Sequence, residues 1–474
     1  MNRFLISAAH KSSGKTTISI GLCAALKARG LAVQPFKKGP DYIDPMWLSL
    51  ASGRTCRNLD FYLMQREQIV ATFTEHAAAA DISLVEGNKG LYDGLDLDGS
   101  NSNAALANLL QLPVVLVIDA RGMTRGIAPL ILGYQAFDRS INIAGVILNN
   151  LGGSRHESKL RTVIEHYTDV PVIGAVQRDA RLEISERQLG LMPSNESETA
   201  VRHVTEIGEI VGAQVNLDEI MRLAAMSPAL PQQAKTATVS SGTADNRVRI
   251  GLARDKAFGF YYPDDLEALQ AAGAELVPVD TLNDAHLPKL DGLFIGGGFP
   301  ERFMQELEAN STLRGEIHAA IESGLPVYAE CGGLMYLARS LSWGEKTCRM
   351  VGTIPGNVVM HDKPVGRGYV RLATTPSHPW DASVATEKKS GTELFAHEFH
   401  YSSLEGLETP VKFAYQVLRG HGVDGHSDGI VYKNLLACYA HLRSNGAYNW
   451  AQQFVTYVRD IKKHKDTRTL TNQA

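Results

Sequence analysis

The hexapeptide Ser12-Ser13-Gly14-Lys15-Thr16-Thr17 follows the apolar run Phe4-Leu5-Ile6-Ser7-Ala8-Ala9 and precedes a segment rich in Ile, Leu and Ala. A strand, a tight turn and a helix in this order are typical of a phosphate-binding loop. Backbone N–H groups at the helix N-terminus hold the phosphate, the lysine neutralises it, and the next hydroxyl holds Mg²⁺. Ala9 stands where the usual first glycine would be. An ordinary strand–turn–helix with a chance Gly-Lys-Thr is the alternative, and the correct placement of all three elements disfavours it.

Six short apolar runs alternate with helical patterns over the first 200 residues. They are Phe4–Ala8, Ala32–Phe36, Ile82–Val85, Val114–Ile118, Ala144–Leu148 and Val172–Val176. Continuous apolar strands separated by helices predict a parallel sheet that is covered on both faces.

A second α/β pattern begins at Val248 and runs to a helix over Trp450–Lys463. Between the two patterns, the chain weakens in periodicity and becomes rich in Ser, Thr, Ala and Pro, as linkers are. We therefore expect a first domain over 1–200, a linker over 201–246, a second domain over 247–446, and a C-terminal helix with a polar, fraying tail over 447–474.

Composition excludes several classes of protein. The 474 residues carry 47 basic and 51 acidic side chains, so the net charge is −4 and no global basic field favours nucleic acid or a membrane surface. No apolar stretch approaches the roughly 20 residues that span a bilayer. Five scattered cysteines without CxxC spacing argue against a disulfide framework or a zinc site. A cytoplasmic protein is expected.

Polar side chains stand where several predicted strands end. Lys37, Lys38, Asp41 and Asp44 follow the second strand, and Glu86 ends the third. Two further strands end in Asp119 and in Asn149-Asn150. The carboxyl ends of parallel strands meet at one edge, which is where ligands bind. A solvated turn remains the alternative for the lysine–aspartate segment taken alone.

The second domain contains Pro326-Val327-Tyr328-Ala329-Glu330-Cys331-Gly332-Gly333-Leu334. A cysteine between a strand and a helix, flanked by small residues, is the thiol counterpart of a nucleophile elbow. The N–H of Gly332 could face an oxyanion, and Gly298, in Gly296-Gly297-Gly298-Phe299-Pro300-Glu301, could supply a second donor. A buried structural cysteine is the alternative reading of Cys331.

A cysteine nucleophile needs a histidine base. His441 ends a late predicted strand, 110 residues after Cys331. His397, Glu398 and His400 form a second cluster. A structural role for either of these sets of histidines is an equal alternative at this point.

Together these residues resemble the cobyrinic acid a,c-diamide synthase family, from about Phe4 to Gly446. The resemblance rests on Gly14-Lys15-Thr16-Thr17, Pro35-Phe36-Lys37, Gly39-Pro40-Asp41-Tyr42-Ile43-Asp44-Pro45, Val85-Glu86-Gly87, Gly296-Gly297-Gly298-Phe299-Pro300-Glu301, Ala329-Glu330-Cys331-Gly332-Gly333-Leu334-Met335-Tyr336 and His397-Glu398-Phe399-His400-Tyr401-Ser402. The family implies a dethiobiotin-synthetase-like P-loop domain with a parallel sheet, followed by a class I glutamine amidotransferase α/β domain. It also implies ATP- and glutamine-dependent amidation of the acetate side chains of a tetrapyrrole, with Mg²⁺.

The resemblance assigns roles to individual residues. The residues implied to bind ATP are Ser12, Ser13, Gly14, Lys15, Thr16, Thr17, Lys37 and Asn149, and those implied to hold Mg²⁺ are Thr16, Asp41 and Glu86. Cys331 would be the glutaminase nucleophile and His441 its base. In many class I glutaminases a glutamate follows the histidine by two residues. Here that position is Arg443, so a Cys–His dyad is expected.

The macrocycle is harder to identify, because members of the family act on cobyrinate, hydrogenobyrinate, nickel sirohydrochlorin or siroheme. The loop Glu86-Gly87-Asn88-Lys89-Gly90-Leu91-Tyr92-Asp93-Gly94 and the basic segment Arg121-Gly122-Met123-Thr124-Arg125 look more like the siroheme-amidating branch. Lys89, Arg121 and Arg125 could pair with substrate carboxylates. Solvated surface residues are the alternative for each. The sequence contains no pattern that fixes the oligomeric state, and a homodimer is kept as one of the possible assemblies.

Functions of other classes are less favoured. A ParA/MinD-like switch ATPase carries a lysine five residues before the P-loop lysine, where this chain has His10. Such a switch also needs no cysteine elbow. A binding protein with an inactive glutaminase domain is disfavoured because both Cys331 and His441 are present.

Overall fold

A computed structural model describes residues 1–187, 190–197, 199–230, 247–380, 391–408, 410–445 and 448–471. The chain forms two compact units, Met1–Lys235 and Thr236–Ala474. Each unit is described by itself below.

The first unit alternates strands with helices, as the sequence pattern predicts. Its strands are β1 Arg3–Ala8, β2 Val33–Lys38, β3 Arg57–Leu59, β4 Ile82–Glu86, β5 Val114–Asp119, β6 Ile143–Leu151, β7 Val172–Gln177, β8 Glu186–Arg187 and β9 Gly190–Leu191. Its helices are α1 Lys15–Ala28, α2 Ile43–Ser52, α3 Arg66–Ala77, α4 Asn103–Leu110, α5 Ile127–Phe137, α6 Ser154–Tyr167, α7 Ala200–Gln214 and α8 Leu217–Ala225, with 3₁₀ turns at Ala180–Leu182 and Ser194–Glu196.

Seven of these strands form a parallel sheet in the order β3-β2-β4-β1-β5-β6-β7. All six predicted strands are present, so the predicted parallel α/β fold is confirmed. Strands β1, β4 and β5 are buried throughout, because helices cover both faces of the sheet. The central position of β1, between β4 and β5, puts the phosphate-loop segment in the middle of the carboxyl edge.

The predicted start of the linker at residue 201 is wrong, because helices α7 and α8 occupy its first part. Helix α7 buries Val204, Ile207 and Val211, and it packs against α1 so closely that a Cβ at Gly21 would lie 2.5 Å from the Val211 Cβ. An apolar stripe at helical spacing therefore makes this segment part of the first unit. Residues 226–230 of the expected linker follow α8, and its last part, 231–246, lies outside the described residues.

The second unit is richer in strands than the first. Its strands are β10 Val248–Ala253, β11 Phe258–Phe260, β12 Ala274–Val279, β13 Gly292–Ile295, β14 Gly297–Gly298, β15 Val327–Glu330, β16 Ala338–Trp343, β17 Lys346–Arg349, β18 Ile354–Met360, β19 Gly366–Thr374, β20 Glu393–His400, β21 Ser402–Glu405, β22 Lys412–Arg419, β23 Ser427–Tyr432 and β24 Leu435–Cys438. Its helices are α9 Pro263–Ala271, α10 Met304–Ala309, α11 Ser311–Glu322, α12 Gly332–Leu337 and α13 Trp450–Thr471, with a 3₁₀ turn at Pro300–Arg302.

A nine-stranded mixed sheet organises this unit, in the order β12-β10-β13-β15-β24-β23-β22-β19-β20. The first five strands are parallel and the others antiparallel. Strands β15 and β24 are neighbours in its centre, with Glu330 opposite Cys438. This register brings the ends of the two strands next to each other.

Helix α13 covers one face of the nine-stranded sheet and is longer than predicted. Trp450 and Phe454 are fully buried and pack their rings around that of Tyr328. The helix continues past Lys463 to Thr471, and the Thr467 hydroxyl donates to the Lys463 carbonyl one turn earlier. Fraying of this tail stays a prediction. Neither α13 nor any other helix in the described ranges is long and apolar enough to cross a membrane.

The tight contact between α1 and α7 predicts a stability effect. Gly21→Ala places a methyl group against Val211, so we expect a loss of about 1–3 kcal/mol from overpacking. Gly133→Ala is the matched control, because no atom lies within 4 Å of the added methyl group on exposed α5. This control is expected to stabilise by about 0.5–1 kcal/mol. Thermal unfolding of the two variants tests the order, and equal transition temperatures would contradict the packing of α7.

Candidate active sites

The phosphate loop joins β1 to α1 through two residues in the left-handed region, Ser12 at φ 64° and Gly14 at φ 85°. A Cβ at Gly14 would lie 2.1 Å from Asn149 Nδ2, so only glycine fits there. The amide of Asn149 donates to the Ser13 carbonyl (3.0 Å), which ties the end of β6 to the loop. The first helical bond of α1 runs from Ile18 N–H to the Gly14 carbonyl. The preceding N–H groups therefore point out of the helix N-terminus, as anion binding requires.

The lysine of the loop has an unusual environment. Burial, together with the nearby ammonium of Lys37, lowers the pKa of Lys15 to about 8. A phosphate would offset both effects, because it restores an opposite charge beside the ammonium group.

Lys37 is the centre of a buried charge cluster beside the phosphate loop. Its Nζ lies 2.5 Å from Asp44 Oδ2, 2.6 Å from Glu86 Oε1 and 3.9 Å from Asp41 Oδ2. Burial acts to lower the pKa of Lys37, but the carboxylates of Asp44 and Glu86 dominate and raise it well above its usual value. The Thr16 hydroxyl donates to Glu86 (2.8 Å) and lies 3.3 Å from Asp44.

The oxygen atoms of this cluster fit a hard divalent cation. Thr16, Asp44 and Glu86 offer hydroxyl and carboxylate oxygens on one side of the phosphate loop, which is the ligand chemistry of Mg²⁺. Glu86 Oε2 is buried and makes no hydrogen bond in the structure. A buried carboxylate oxygen in that condition is costly unless a cation or a donor reaches it.

Asp44 is a residue of this cluster that the sequence-based metal set omits. Asp41, which that set includes, uses Oδ1 to accept the N–H groups of Ile43 and Asp44 at the start of α2. Asp44 faces Thr16 and Lys37 directly. The two aspartates are three residues apart at the start of a predicted helix. This spacing is the sequence signal that Asp41 accepts hydrogen bonds from the first turn of the helix whereas Asp44 lies within it.

The three candidate substrate-binding cations lie in different environments. Lys89 is exposed on the loop after β4, at φ 43°, and that loop runs along the start of the phosphate loop through the Leu91 N–H to Ala8 carbonyl bond. Arg121 is exposed but already forms a bidentate ion pair with Asp119 at the end of β5. Arg125 lies over the ring of Tyr167, 5.1 Å from its centroid.

In the second unit, Cys331 occupies the turn between β15 and α12. Its backbone, at φ 48° and ψ −102°, is in a region that L-residues rarely adopt. The strand–cysteine–helix arrangement expected from the sequence is therefore present, with the strain typical of nucleophile elbows. The other four cysteines, Cys23, Cys56, Cys348 and Cys438, are buried and unbridged.

Gly298 and Gly332 lie against each other beside the cysteine. A Cβ at Gly332 would lie 3.0 Å from Gly298 N, and a Cβ at Gly298 would lie 1.9 Å from the Ala257 carbonyl oxygen. Both positions need glycine for close backbone approach. The turn thus brings the backbone of Gly332 close to that of Gly298, and an oxyanion hole formed by their N–H groups stays a prediction.

His441 lies next to Cys331 in a buried pocket. Burial acts to lower the pKa of His441, but hydrogen bonds with the Cys331 thiol and the Glu330 carboxylate outweigh it and raise the pKa to about 10. His441 Nδ1 is 3.3 Å from Glu330 Oε2. A Cβ at Gly297 would lie 2.6 Å from His441 Cε1, so this glycine makes room for the ring.

Glu330 is a second residue that the sequence analysis did not single out. It ends β15 immediately before the cysteine, and its side chain is 4% exposed. The residue two positions after the histidine, Arg443, instead pairs with Asp264 at 2.5 Å and lies over the ring of Tyr262. A buried acidic residue in an otherwise apolar strand was the available signal.

The second histidine cluster supports the segment that carries His441. The ring of His397 stacks on that of His441, 4.8 Å between centroids, and the two residues exchange backbone hydrogen bonds. The ring of His400 stacks on Tyr439 at 3.9 Å. Glu398 accepts the N–H groups of His421 and Gly422. The contacts of all three are structural ones around β20 and the end of β24.

Two family models match the chain. Residues 5–191 match the CobQ/CobB/MinD/ParA nucleotide binding domain. Residues 249–447 match the CobB/CobQ-like glutamine amidotransferase domain. The two matches cover the phosphate loop and the cysteine elbow respectively.

Curated relatives match over nearly the whole chain. A cobyrinate a,c-diamide synthase of Magnetococcus marinus is 47% identical over 97% of each chain. One of Methanosarcina acetivorans is 43% identical over 93% of this chain and 92% of its own. Among solved structures, PurLQS of Thermotoga maritima matches 45% of this chain and 99% of its own at 16% identity, with a TM-score of 0.35. A score of that size carries no weight for the fold, which rests on the strand orders above.

The backbone strain at Cys331 predicts that glycine is more stabilising than alanine there, the reverse of the usual order of these two residues. At φ 48°, Cys331→Gly should be more stable than Cys331→Ala by about 1 kcal/mol, since glycine relieves a strain of about 1–3 kcal/mol and loses part of that gain to its larger unfolded-state entropy. Cys348, in strand β17 and without a positive φ, is the control position, and there the alanine variant should be the more stable. Denaturant titrations of the four variants check this. The same ranking at both positions would mean that the elbow is unstrained.

Proposed function

The chain belongs to the cobyrinate a,c-diamide synthase family, and on that basis we propose that it amidates the a and c acetate side chains of cobyrinate, using ATP and glutamine. The proposal rests on the presence of two sites in one chain. One is a phosphate loop beside a carboxylate cluster, and the other is a cysteine with a strained backbone that is hydrogen-bonded to a histidine. A carboxylate cannot acylate ammonia directly, so the reaction needs both halves.

The first unit would activate the substrate. Transfer of the γ-phosphoryl group forms a bond from phosphorus to a substrate carboxylate oxygen and breaks its bond to the oxygen that leaves with ADP. Lys15 and the N-terminus of α1 would hold the transferred group, and Lys37 would neutralise charge beside it. The acyl phosphate formed is then open to attack by ammonia, with phosphate as the leaving group.

The second unit would supply that ammonia. The Cys331 thiolate attacks the γ-carbonyl of glutamine, and the backbone N–H groups of Gly298 and Gly332 would stabilise the oxyanion. The imidazolium of His441 gives its proton to the departing nitrogen as the carbon–nitrogen bond breaks. Water, deprotonated by the same imidazole, then hydrolyses the thioester to glutamate.

Mg²⁺ would be held by Thr16, Asp44 and Glu86, with Asp41 further away. The bound ion would polarise the phosphoryl oxygens and stabilise the charge that develops on them. Lys37, now paired with two of these carboxylates, would then be available to the phosphates.

The names of the relatives favour cobyrinate over siroheme as the substrate. The loop that contains Lys89 resembles that of the siroheme-amidating branch, so siroheme is the second candidate substrate. Hydrogenobyrinate is the third. A switch ATPase is not favoured, because the relatives match both units at once. A cytoplasmic location and a homodimer stay predictions.

The division of labour predicts selective losses. Cys331→Ala and His441→Ala should abolish amidation with glutamine but keep amidation with a high concentration of ammonium salt, because the first unit does not use the thiol. Lys15→Ala should abolish both, since no acyl phosphate forms. Product mass after incubation with ATP and cobyrinate measures all three variants.

The same assay tests the substrate when it is run over cobyrinate, hydrogenobyrinate and siroheme. Two mass losses of about 1 Da each, from replacing a hydroxyl by an amino group, should appear with cobyrinate. Amidation of siroheme alone would overturn the proposal that cobyrinate is the substrate. Loss of ammonium-driven activity in a folded Cys331→Ala protein would overturn the division of labour.

The carboxylate cluster predicts unequal effects on the metal requirement. Asp44→Asn and Glu86→Gln should each raise the Mg²⁺ concentration for half-maximal ammonium-driven amidation by roughly tenfold or more, because each removes a charged ligand from a hard cation. Asp41→Asn should raise it less, since that carboxylate caps α2. Asp138→Asn, at the half-buried residue that follows the last turn of α5, is the control. Equal Mg²⁺ titrations for all four variants would remove the ion from this cluster.

A further inference from the structure

Glu330 touches the histidine of the glutaminase pair at the ring nitrogen Nδ1. Its Oε2 lies 3.3 Å from His441 Nδ1, and its backbone is adjacent to that of Cys331. We propose that Glu330 is a positioning residue that orients His441 and completes a Cys331–His441–Glu330 triad. This inference rests on the proposed glutaminase activity and replaces the expected dyad.

The carboxylate of Glu330 is held rigidly enough for this role. Its Oε1 accepts the Tyr328 hydroxyl at 2.5 Å and the Leu442 N–H at 3.0 Å, so only Oε2 faces the imidazole. The pairing of Glu330 with Cys438 across β15 and β24 fixes the distance between the two strand ends. The side chain is 4% exposed, so water does not compete for it.

This contact would determine which nitrogen of His441 carries the proton. A carboxylate at Nδ1 accepts a hydrogen bond from the Nδ1–H group, which keeps the proton on that nitrogen and leaves Nε2 as the acceptor for the thiol proton. The negative charge also stabilises the imidazolium formed when the thiol ionises. Because the thiolate is the nucleophile, an imidazolium stabilised beside the cysteine favours its reactive form.

Other charged or titratable groups face His441 from each neighbouring element. Cys331 faces it from the elbow, and His397 stacks on it from β20. Burial and the neighbouring His441 lower the pKa of His397 well below its usual value, so its ring is neutral at pH 7. Arg443, two residues along the chain, is paired with Asp264. Glu330 is therefore the carboxylate whose contact with the ring the structure records.

Glu330→Gln tests the role, because glutamine keeps an acceptor for Leu442 and Tyr328 but loses the charge. The kcat for glutamine hydrolysis should fall roughly 100-fold with the KM for glutamine little changed. The midpoint pH for alkylation of Cys331 by iodoacetamide should rise by about one unit, because the imidazolium is less stable without the carboxylate. Ammonium-driven amidation should not change. Glu322→Gln, at a half-buried glutamate of α11 that pairs with Lys433, controls for the substitution itself.

Two results would overturn the inference: an alkylation midpoint unchanged in Glu330→Gln, or equal losses with glutamine and with ammonium. Should that variant fail to fold, nuclear magnetic resonance of the ¹⁵N-histidine-labelled wild-type protein decides. A downfield Nδ1–H resonance that disappears in His441→Ala is expected, and an Nε2–H tautomer of His441 would overturn the role. Glutamine hydrolysis retained by Cys331→Ala would instead overturn the proposed function, so the two failures are distinguishable.

Discussion

Parallel pairing of strands is the constraint on which both units depend. In a parallel sheet all strands end at the same edge, so the residues that follow them meet there whatever their separation in sequence. In the first unit this brings Lys37 of β2 to Glu86 of β4, 49 positions apart. In the second it brings Glu330 of β15 to His441 after β24, 111 positions apart. The chemistry of each unit is thus a product of strand order.

Charges buried at these edges stabilise little by themselves and need partners. Lys37 is held between carboxylates, and the Glu330 carboxylate accepts the Tyr328 hydroxyl and the Leu442 N–H and contacts His441. Removing one member of such a cluster leaves the others desolvated, which costs more than the pair contributes. Such clusters are therefore better explained by the chemistry they prepare than by the stability they give.

The sequence predicts six of the seven strands of the parallel sheet, the phosphate loop and the elbow, because each depends on a local pattern of apolar, small and polar residues. It does not predict the α7 packing, since a stripe such as Val204, Ile207 and Val211 has no partner until α1 is in place. Asp44 was missed for a related reason. Which of two aspartates faces the cluster depends on the start of α2, and helix boundaries are set by tertiary contacts as much as by propensity.

Glu330 shows the same limit for a catalytic constellation. A motif search looks for a carboxylate at a fixed distance after the histidine, but the role requires only an oxygen near Nδ1. Any element that ends beside the ring can supply it, and here β15 does so, because its register with β24 places Glu330 opposite Cys438. The second position after the histidine carries Arg443 instead, which pairs with Asp264 of α9. In many class I glutaminases the carboxylate comes from the segment that carries the histidine, whereas here it comes from the strand that carries the cysteine. In both cases a carboxylate contacts the imidazole as in a triad.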